Sequence, residues 1–364
     1  MGFRCGIVGL PNVGKSTIFN ALTKAKVPAS NYPFCTIDPN VGIVYVPDPR
    51  LKALSDLYHP QKTTPTTIEF YDIAGLVKGA STGEGLGNQF LAHIREVEAI
   101  LHVVRCFDDP DVIHVSGSVD PLRDIEVIDT ELCLKDLDTI SKRFDKTDKL
   151  ARSGDKASRE VMPVYEKVKK ALEDGKPLRR IGLTDDEKKA IQDMSFLTLK
   201  SMLYCANVAE TDLAAGNAWT EAVKQWAQQE GSQMVMISGK VESELNDLSD
   251  EDRGEFLKEL GLKEPGLDTL IRAGYALLEL ITYFTAGEKE VRAWTIRKGT
   301  KAPQAAGVIH SDFERGFICA EVVKCGDLLQ LKSIPAVKEK GLLKMEGKEY
   351  TVADGDTIVF RFNV

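Results

Sequence analysis

The chain has 364 residues, 55 acidic against 47 basic for a net charge of -8, and 43% hydrophobic residues. That length exceeds one ordinary core and predicts two or three domains of about 150 residues each; the composition excludes a mainly disordered chain. The net negative charge excludes indiscriminate nucleic-acid binding by the whole surface, although it leaves room for a basic patch.

No apolar run approaches the roughly 20 residues of a membrane span. The N-terminus passes from Met1 straight into CGIVGL without the features of a signal peptide, so no membrane role and a cytoplasmic location are expected. Seven cysteines without a CxxC pair and five scattered histidines suggest neither a disulfide framework nor a zinc site. Cys5, Cys106 and Cys205 sit in apolar runs and read as buried core.

In chain order, strand-like runs are expected at 4–8, 41–46, 67–73, 100–107, 202–208 and 234–237, with a helix at 15–24 directly after the first. This alternation predicts an α/β domain with a largely parallel sheet. From 120 to 200 the pattern changes. Ile125, Ile128 and Leu132, then Leu137, Ile140 and Phe144, form one helical stripe, and Val161, Val164, Val168 and Leu172 form another. With Ser-Gly-Asp between them, the two stripes predict an antiparallel, coiled-coil-like arm. Between Lys142 and Arg180 there are thirteen Lys or Arg against seven Asp or Glu, a local net of +6. After about Thr282, strand-like runs at 290–296, 316–323, 349–352 and 357–362 surround one short helix near 304–310, a small α+β domain.

Gly9 to Ser16 read GLPNVGKS, the pattern GxxxxGK[ST] between a strand and a helix. Glycines let successive N–H groups curl around phosphates at the positive end of the following helix. Lys15 is expected on the β- and γ-phosphates and Ser16 on magnesium. TIEFYDIAG then supplies DxxG, with Asp72 for the magnesium shell and the Gly75 amide for the γ-phosphate. Thr36, in NYPFCTI, is the expected second hydroxyl on Mg2+. Five glycines between Gly75 and Gly87 predict a segment whose order changes with nucleotide state.

The base-reading motif departs from NKxD, in which Asp accepts from two guanine donors. Here the strand ends in Asn207, Val208, Ala209, Glu210. An Asn amide can match the N6 donor and N7 acceptor of adenine, which shifts the expectation from GTP towards ATP. The candidate nucleotide contacts are Asn12, Val13, Gly14, Lys15, Ser16, Thr17, Gly75, Asn207, Val208, Glu210 and Ser238. The 135 residues from Asp72 to Asn207 exceed two βα units, so the arm interrupts the nucleotide domain.

Together GLPNVGKS, NYPFCTI, DIAG, GEGLGN and NVAE, with FTAG, EVRAW, DFERGFICAEV and FRFNV near the end, resemble the YchF-type Obg-like ATPases over essentially the whole chain. The resemblance implies a P-loop nucleotide-binding domain (1–120 and 201–280), an inserted helical arm (121–200) and a C-terminal TGS-like β-grasp domain (281–364). It also implies ATP hydrolysis in preference to GTP, association with the ribosome or its RNA, and no DNA specificity.

Where Ras-like enzymes place a Gln after DxxG, this chain has Leu76, which cannot orient a water, so slow turnover is expected. His114 in FDDPDVIHV is the best substitute and resembles a histidine at this place in the family; packing against its apolar neighbours is the equal alternative. Two other functions remain open at this level: a nucleotide-gated RNA- or protein-binding scaffold, and a small-molecule kinase, which DxxG and the glycine-rich segment disfavour.

Overall fold

The computed structural model describes residues 3–24, 40–73 and 86–363, the side chains of 86–90 and 250 excepted. Thr36, Gly75 and Leu76, and the glycine-rich run up to 85, lie outside the described residues. The α-helices and strands, in order, are β1 (Arg4–Val8), α1 (Lys15–Lys24), β2 (Val41–Tyr45), α2 (Pro49–Tyr58), β3 (Lys62–Thr64), β4 (Thr67–Asp72), α3 (Leu86–Glu96) and β5 (Ala99–Arg105). Next come α4 (Pro121–Arg152), α5 (Lys156–Glu173), α6 (Asp185–Ala190), β6 (Ser201–Asn207), α7 (Ala218–Glu230), β7 (Gln233–Ile237), α8 (Gly239–Leu245), α9 (Asp250–Glu259) and α10 (Gly266–Leu277). The chain ends with β8 (Leu280–Ala286), β9 (Glu290–Arg297), α11 (Ala302–Ile309), α12 (Ser311–Arg315), β10 (Phe317–Lys324), α13 (Cys325–Leu331), α14 (Ile334–Glu339), β11 (Lys344–Glu346) and β12 (Asp356–Phe362). Chain packing divides these into two compact units, residues 1–44 with 69–274, and residues 45–68 with 275–364.

The first unit is built on a sheet of order β2-β4-β1-β5-β6-β7. The pairs β1–β4, β1–β5, β5–β6 and β6–β7 are parallel. Every residue of β5 is buried, as a parallel strand covered on both faces must be. Parallel pairing has one consequence for function: the segments that follow β1, β5, β6 and β7 leave the same edge of the sheet, where α/β proteins bind ligands. Cys5, Cys106 and Cys205 are all fully buried, as their apolar neighbours predict.

The arm forms as its periodicity requires. Asp120 caps α4 by accepting from the Arg123 amide, and Asp155 caps α5 by accepting from the Ser158 amide. Gly154 turns the chain between them with φ +105°, a left-handed conformation that glycine adopts freely. Ile140, Tyr165, Val168 and Leu172 bury between the helices, joined by Leu178, Ile191 and Phe196 from the segment that folds back after α5.

Asp136, fully buried, closes that return by accepting from the Leu197 amide (3.0 Å), the Thr198 amide (2.7 Å) and the Thr198 hydroxyl (2.7 Å). Asp136→Ala is expected to destabilise the first unit by about 2–4 kcal/mol in chemical denaturation, because buried donors lose their acceptor. Burial lifts the Asp136 carboxyl to about 6. The folded chain therefore holds this proton after the unfolded chain has released it, so stability falls as pH rises from about 4 to 6. Asp136→Asn should flatten that part of the stability profile.

The arm's charge is less free than its net of +6 suggests. Lys142, Arg152, Lys169 and Lys170 pair with Asp138, Asp148, Glu173 and Asp174 one turn away, and Lys167 pairs with Glu187. Arg179 is buried against Asp129 (2.7 Å) and Glu230 (3.1 Å), and Arg180 reaches Glu230 as well. Tyr204 in β6 donates to Glu230 at 2.5 Å, so this ionic knot fastens the arm to the nucleotide sheet. Arg179 is structural and leaves the count of charges offered to a partner, whereas Arg180 stays exposed while pairing with Glu230.

The second unit has a sheet of order β11-β10-β12-β8-β9-β3. Its edge strand β3 comes from early in the chain and pairs with β9 in parallel. Leu51 and Leu54 of α2 bury beside Phe284, Val291, Ala293 and Leu328, which explains why residues 45–68 fold with the C-terminal segment. Two expectations need correction here. The run 349–352 is no strand, holding a single bridge between Thr351 and Lys301, and the one expected helix is joined by three more, α12, α13 and α14. The alternating run 349–352 is broken by Ala353–Gly355, whose turn brings the Ala353 amide onto the buried Asp356 carboxylate at 2.8 Å.

Candidate functional site

The segment Gly9–Ser16 leaves β1 and enters α1 at Lys15. Gly14 has φ +95°, and a Cβ there would lie 2.2 Å from the Asn207 amide nitrogen, so glycine is required twice over. Asn12 also takes a left-handed conformation (φ 62°), and its side-chain amide donates to the Ile113 carbonyl at 3.1 Å. Lys15 is buried, with its ammonium donating to the Leu10 carbonyl at 3.2 Å. Ser16 and Thr17, in the first turn of α1, are exposed.

Asp72 ends β4. Burial pushes its carboxyl up and pushes the Lys15 ammonium down, and the attraction between the two offsets part of each shift. Its Oδ1 is buried without a hydrogen-bond partner among the described residues. An unpaired carboxylate oxygen beside a phosphate-binding loop is the donor a hard divalent cation takes.

Asn207 ends β6 with its side chain almost fully buried. Its amide nitrogen donates to the Val13 carbonyl (2.9 Å) and its oxygen accepts from the Gly239 amide (3.0 Å). It therefore ties the phosphate loop to the start of α8, keeping one N–H and one lone pair for a ligand. Ser238, buried, precedes α8. A cavity of about 490 Å³ opens here, lined by Asn12, Gly14 and Thr17 on one side and Asn207, Val208, Glu210 and Ser238 on another. Residues from both predicted motifs thus share one pocket.

His114 does not line this cavity. It is buried, its Nε2 stands 2.8 Å from the Asp124 carboxylate, and its Nδ1 accepts from the Ser116 amide at 3.1 Å. Accepting at Nδ1 puts the proton on Nε2, so both nitrogens are engaged within the chain. Its neighbours Ile113 and Val115 are exposed.

Sequence reasoning missed the third wall, formed by Phe107, Asp108, Asp109 and Val112, and also Thr211 and Lys240. The available signal was Arg105, a charged residue inside the apolar run ILHVVRC.

A family model described as "50S ribosome-binding GTPase" matches residues 4–142, and the YchF-GTPase C-terminal model, described as a protein of unknown function, matches residues 280–363. The ribosome-binding ATPase YchF of Shigella flexneri is 57% identical over 364 residues, covering all of both chains. That of Bacillus subtilis is 54% identical with the same coverage. This chain belongs to the YchF family. The solved Schizosaccharomyces pombe YchF GTPase superimposes with TM-score 0.88 at 42% identity, covering 99% of this chain and 98% of the other. The α/β architecture, with a P-loop domain followed by a YchF C-terminal domain, is therefore that of the YchF family.

Proposed function

We propose that this chain is a ribosome-associated ATPase that binds and slowly hydrolyses ATP as a magnesium-dependent switch. The observation that carries the reading is the pocket in which the phosphate loop faces Asn207, Val208 and Glu210, an NxxE wall where guanine readers carry NKxD. The curated relatives are named ribosome-binding ATPases, which supports both halves of the proposal. A ribosomal partner also fits the cytoplasmic location expected from the sequence.

Lys15 neutralises the β- and γ-phosphates in this reading, while Asn12, Val13, Gly14, Ser16 and Thr17 present loop and helix donors to them. Ser16 and Asp72, with Thr36, would hold magnesium, which when bound neutralises phosphate charge. Gly75 is assigned to the γ-phosphate, and Asn207, Val208, Glu210 and Ser238 to the base. His114 is assigned to the attacking water; it must first leave its bonds to Asp124 and Ser116. The domain limits proposed are 1–120 with 201–280 for nucleotide binding, 121–200 for the arm and 281–364 for the β-grasp module.

Competitive titration tests the nucleotide. ATP is expected to bind at least as tightly as GTP, and a tenfold preference for GTP, about 1.4 kcal/mol, would sink the assignment. Val208→Lys with Glu210→Asp should move preference towards GTP.

Co-sedimentation with ribosomes tests the partner. Lys146, Lys149, Arg152, Lys169 and Lys170 reversed to Glu should weaken binding and shrink its salt dependence, since fewer counterions are released from RNA phosphates. ATP hydrolysis without ribosomes should be unchanged. Unaltered sedimentation across salt would reduce the arm's charge to solvation.

A further inference from the structure

Arg105 ends β5 beside Asn207 and is only 1% exposed, the largest side chain buried so completely among the described residues. Burying a guanidinium is costly unless its donors are matched. Here Nε donates to the Phe107 carbonyl (3.0 Å), Nη1 to Val112 (2.8 Å) and Nη2 to Asp109 (3.3 Å). Its Cζ also lies 4.6 Å from the Phe107 ring centroid, a cation–π contact. All three acceptors are main-chain groups of one short segment, and Phe107, Asp109 and Val112 line the cavity that Asn207 and Glu210 close from the other side. Arg105 itself does not line that cavity.

Three carbonyls gathered by one rigid fork fix the path of a loop more tightly than side-chain contacts at its surface, because backbone direction is set directly. A lysine has no planar fork with which to hold three such acceptors in fixed directions. We propose that Arg105 is a positioning residue for nucleoside recognition: it holds the wall against which the base and sugar of a bound nucleotide pack, a wall joined to the phosphate loop only at its far end, where Asn12 donates to the Ile113 carbonyl. The proposal rests on the reading of this cavity as the nucleoside pocket.

The test compares a nucleotide with its phosphates alone. Arg105→Met and Arg105→Lys are made in the full chain, and dissociation constants are measured for ATP and for inorganic tripolyphosphate, both with magnesium. ATP is expected to weaken about tenfold or more in Arg105→Met and less in Arg105→Lys, with tripolyphosphate within about twofold of the parent. In turnover, KM for ATP should rise while kcat at saturation stays within about threefold, the mark of lost binding shared by ground and transition states.

ATP affinity within twofold of the parent would overturn the proposal. So would an equal weakening of ATP and tripolyphosphate, which would mean that Arg105 supports the fold as a whole. Hydrogen exchange on the unaltered chain decides the matter even where a variant does not fold. The Asp111 and Val112 amides, which donate to the Asp109 side chain and carbonyl inside this loop, should be protected, and exchange at the rate of an unstructured peptide would overturn the proposal. A parent chain that prefers GTP would overturn the adenine assignment alone, since GTP against tripolyphosphate reads the same wall; a parent that binds neither nucleotide overturns both.

Discussion

Lys15→Ala is expected to weaken ATP binding by more than about 100-fold, roughly 2.7 kcal/mol, and to remove measurable turnover. Lys15 is buried at the start of α1 with its ammonium already turned onto the phosphate loop, so its charge is held near the phosphates at little entropic cost. The charge also attracts Asp72, and its removal leaves that half-buried carboxylate without its cation. Titration with a fluorescent ATP analogue measures the effect; affinity within tenfold of the parent would show that the loop amides alone hold the phosphates. His114→Ala provides the contrast: KM should change little and kcat should fall about tenfold or more, the size expected for a group that acts on the attacking water. Unchanged turnover would leave His114 its bonds to Asp124 and Ser116 as a purely structural role.

Asn207→Ala should weaken ATP and GTP together, by about tenfold or more each. The substitution strands the Gly239 amide and the Val13 carbonyl, both partners of the Asn207 side chain. An unpaired buried group costs about 1–3 kcal/mol, so the thermal midpoint should fall by several degrees as well. This separates Asn207 from Val208 and Glu210, whose replacement should change the ratio of the two affinities. Nucleotide affinity unchanged in Asn207→Ala, with stability lowered, would confine the residue to fastening the loop.

Much of the fold was legible in local order. The apolar runs of the first unit gave its six strands: the central β5 and β6, buried along nearly their whole length, demand continuous hydrophobic stretches, and the outer β2 and β4 show the alternation of a half-buried strand. The arm was legible because its stripes repeat at helical spacing with Ser-Gly-Asp between them. GLPNVGKS and NVAE carried the site because phosphate and base recognition depend on short, contiguous backbone geometry.

What tertiary structure alone decided involves partners distant in sequence. Strand β3 is too short and polar to signal itself, and it exists because β9, more than 200 residues later, offers an edge to pair with. The count of basic residues included Arg179, yet burial of its side chain against Asp129 and Glu230 takes its charge out of the surface. His114 carried a chemical residue type at a plausible place, but only packing shows both its nitrogens already committed. Arg105 interrupts an apolar run without a motif, and its meaning depends on three carbonyls that a loop brings back to it. Sequence by itself thus determined the strands of the first unit, the arm and the two nucleotide motifs, whose residue pattern is local. The third wall of the pocket and the state of each buried charge were decided by folding, because the energy of a buried polar group is set by whichever neighbours the chain brings to it.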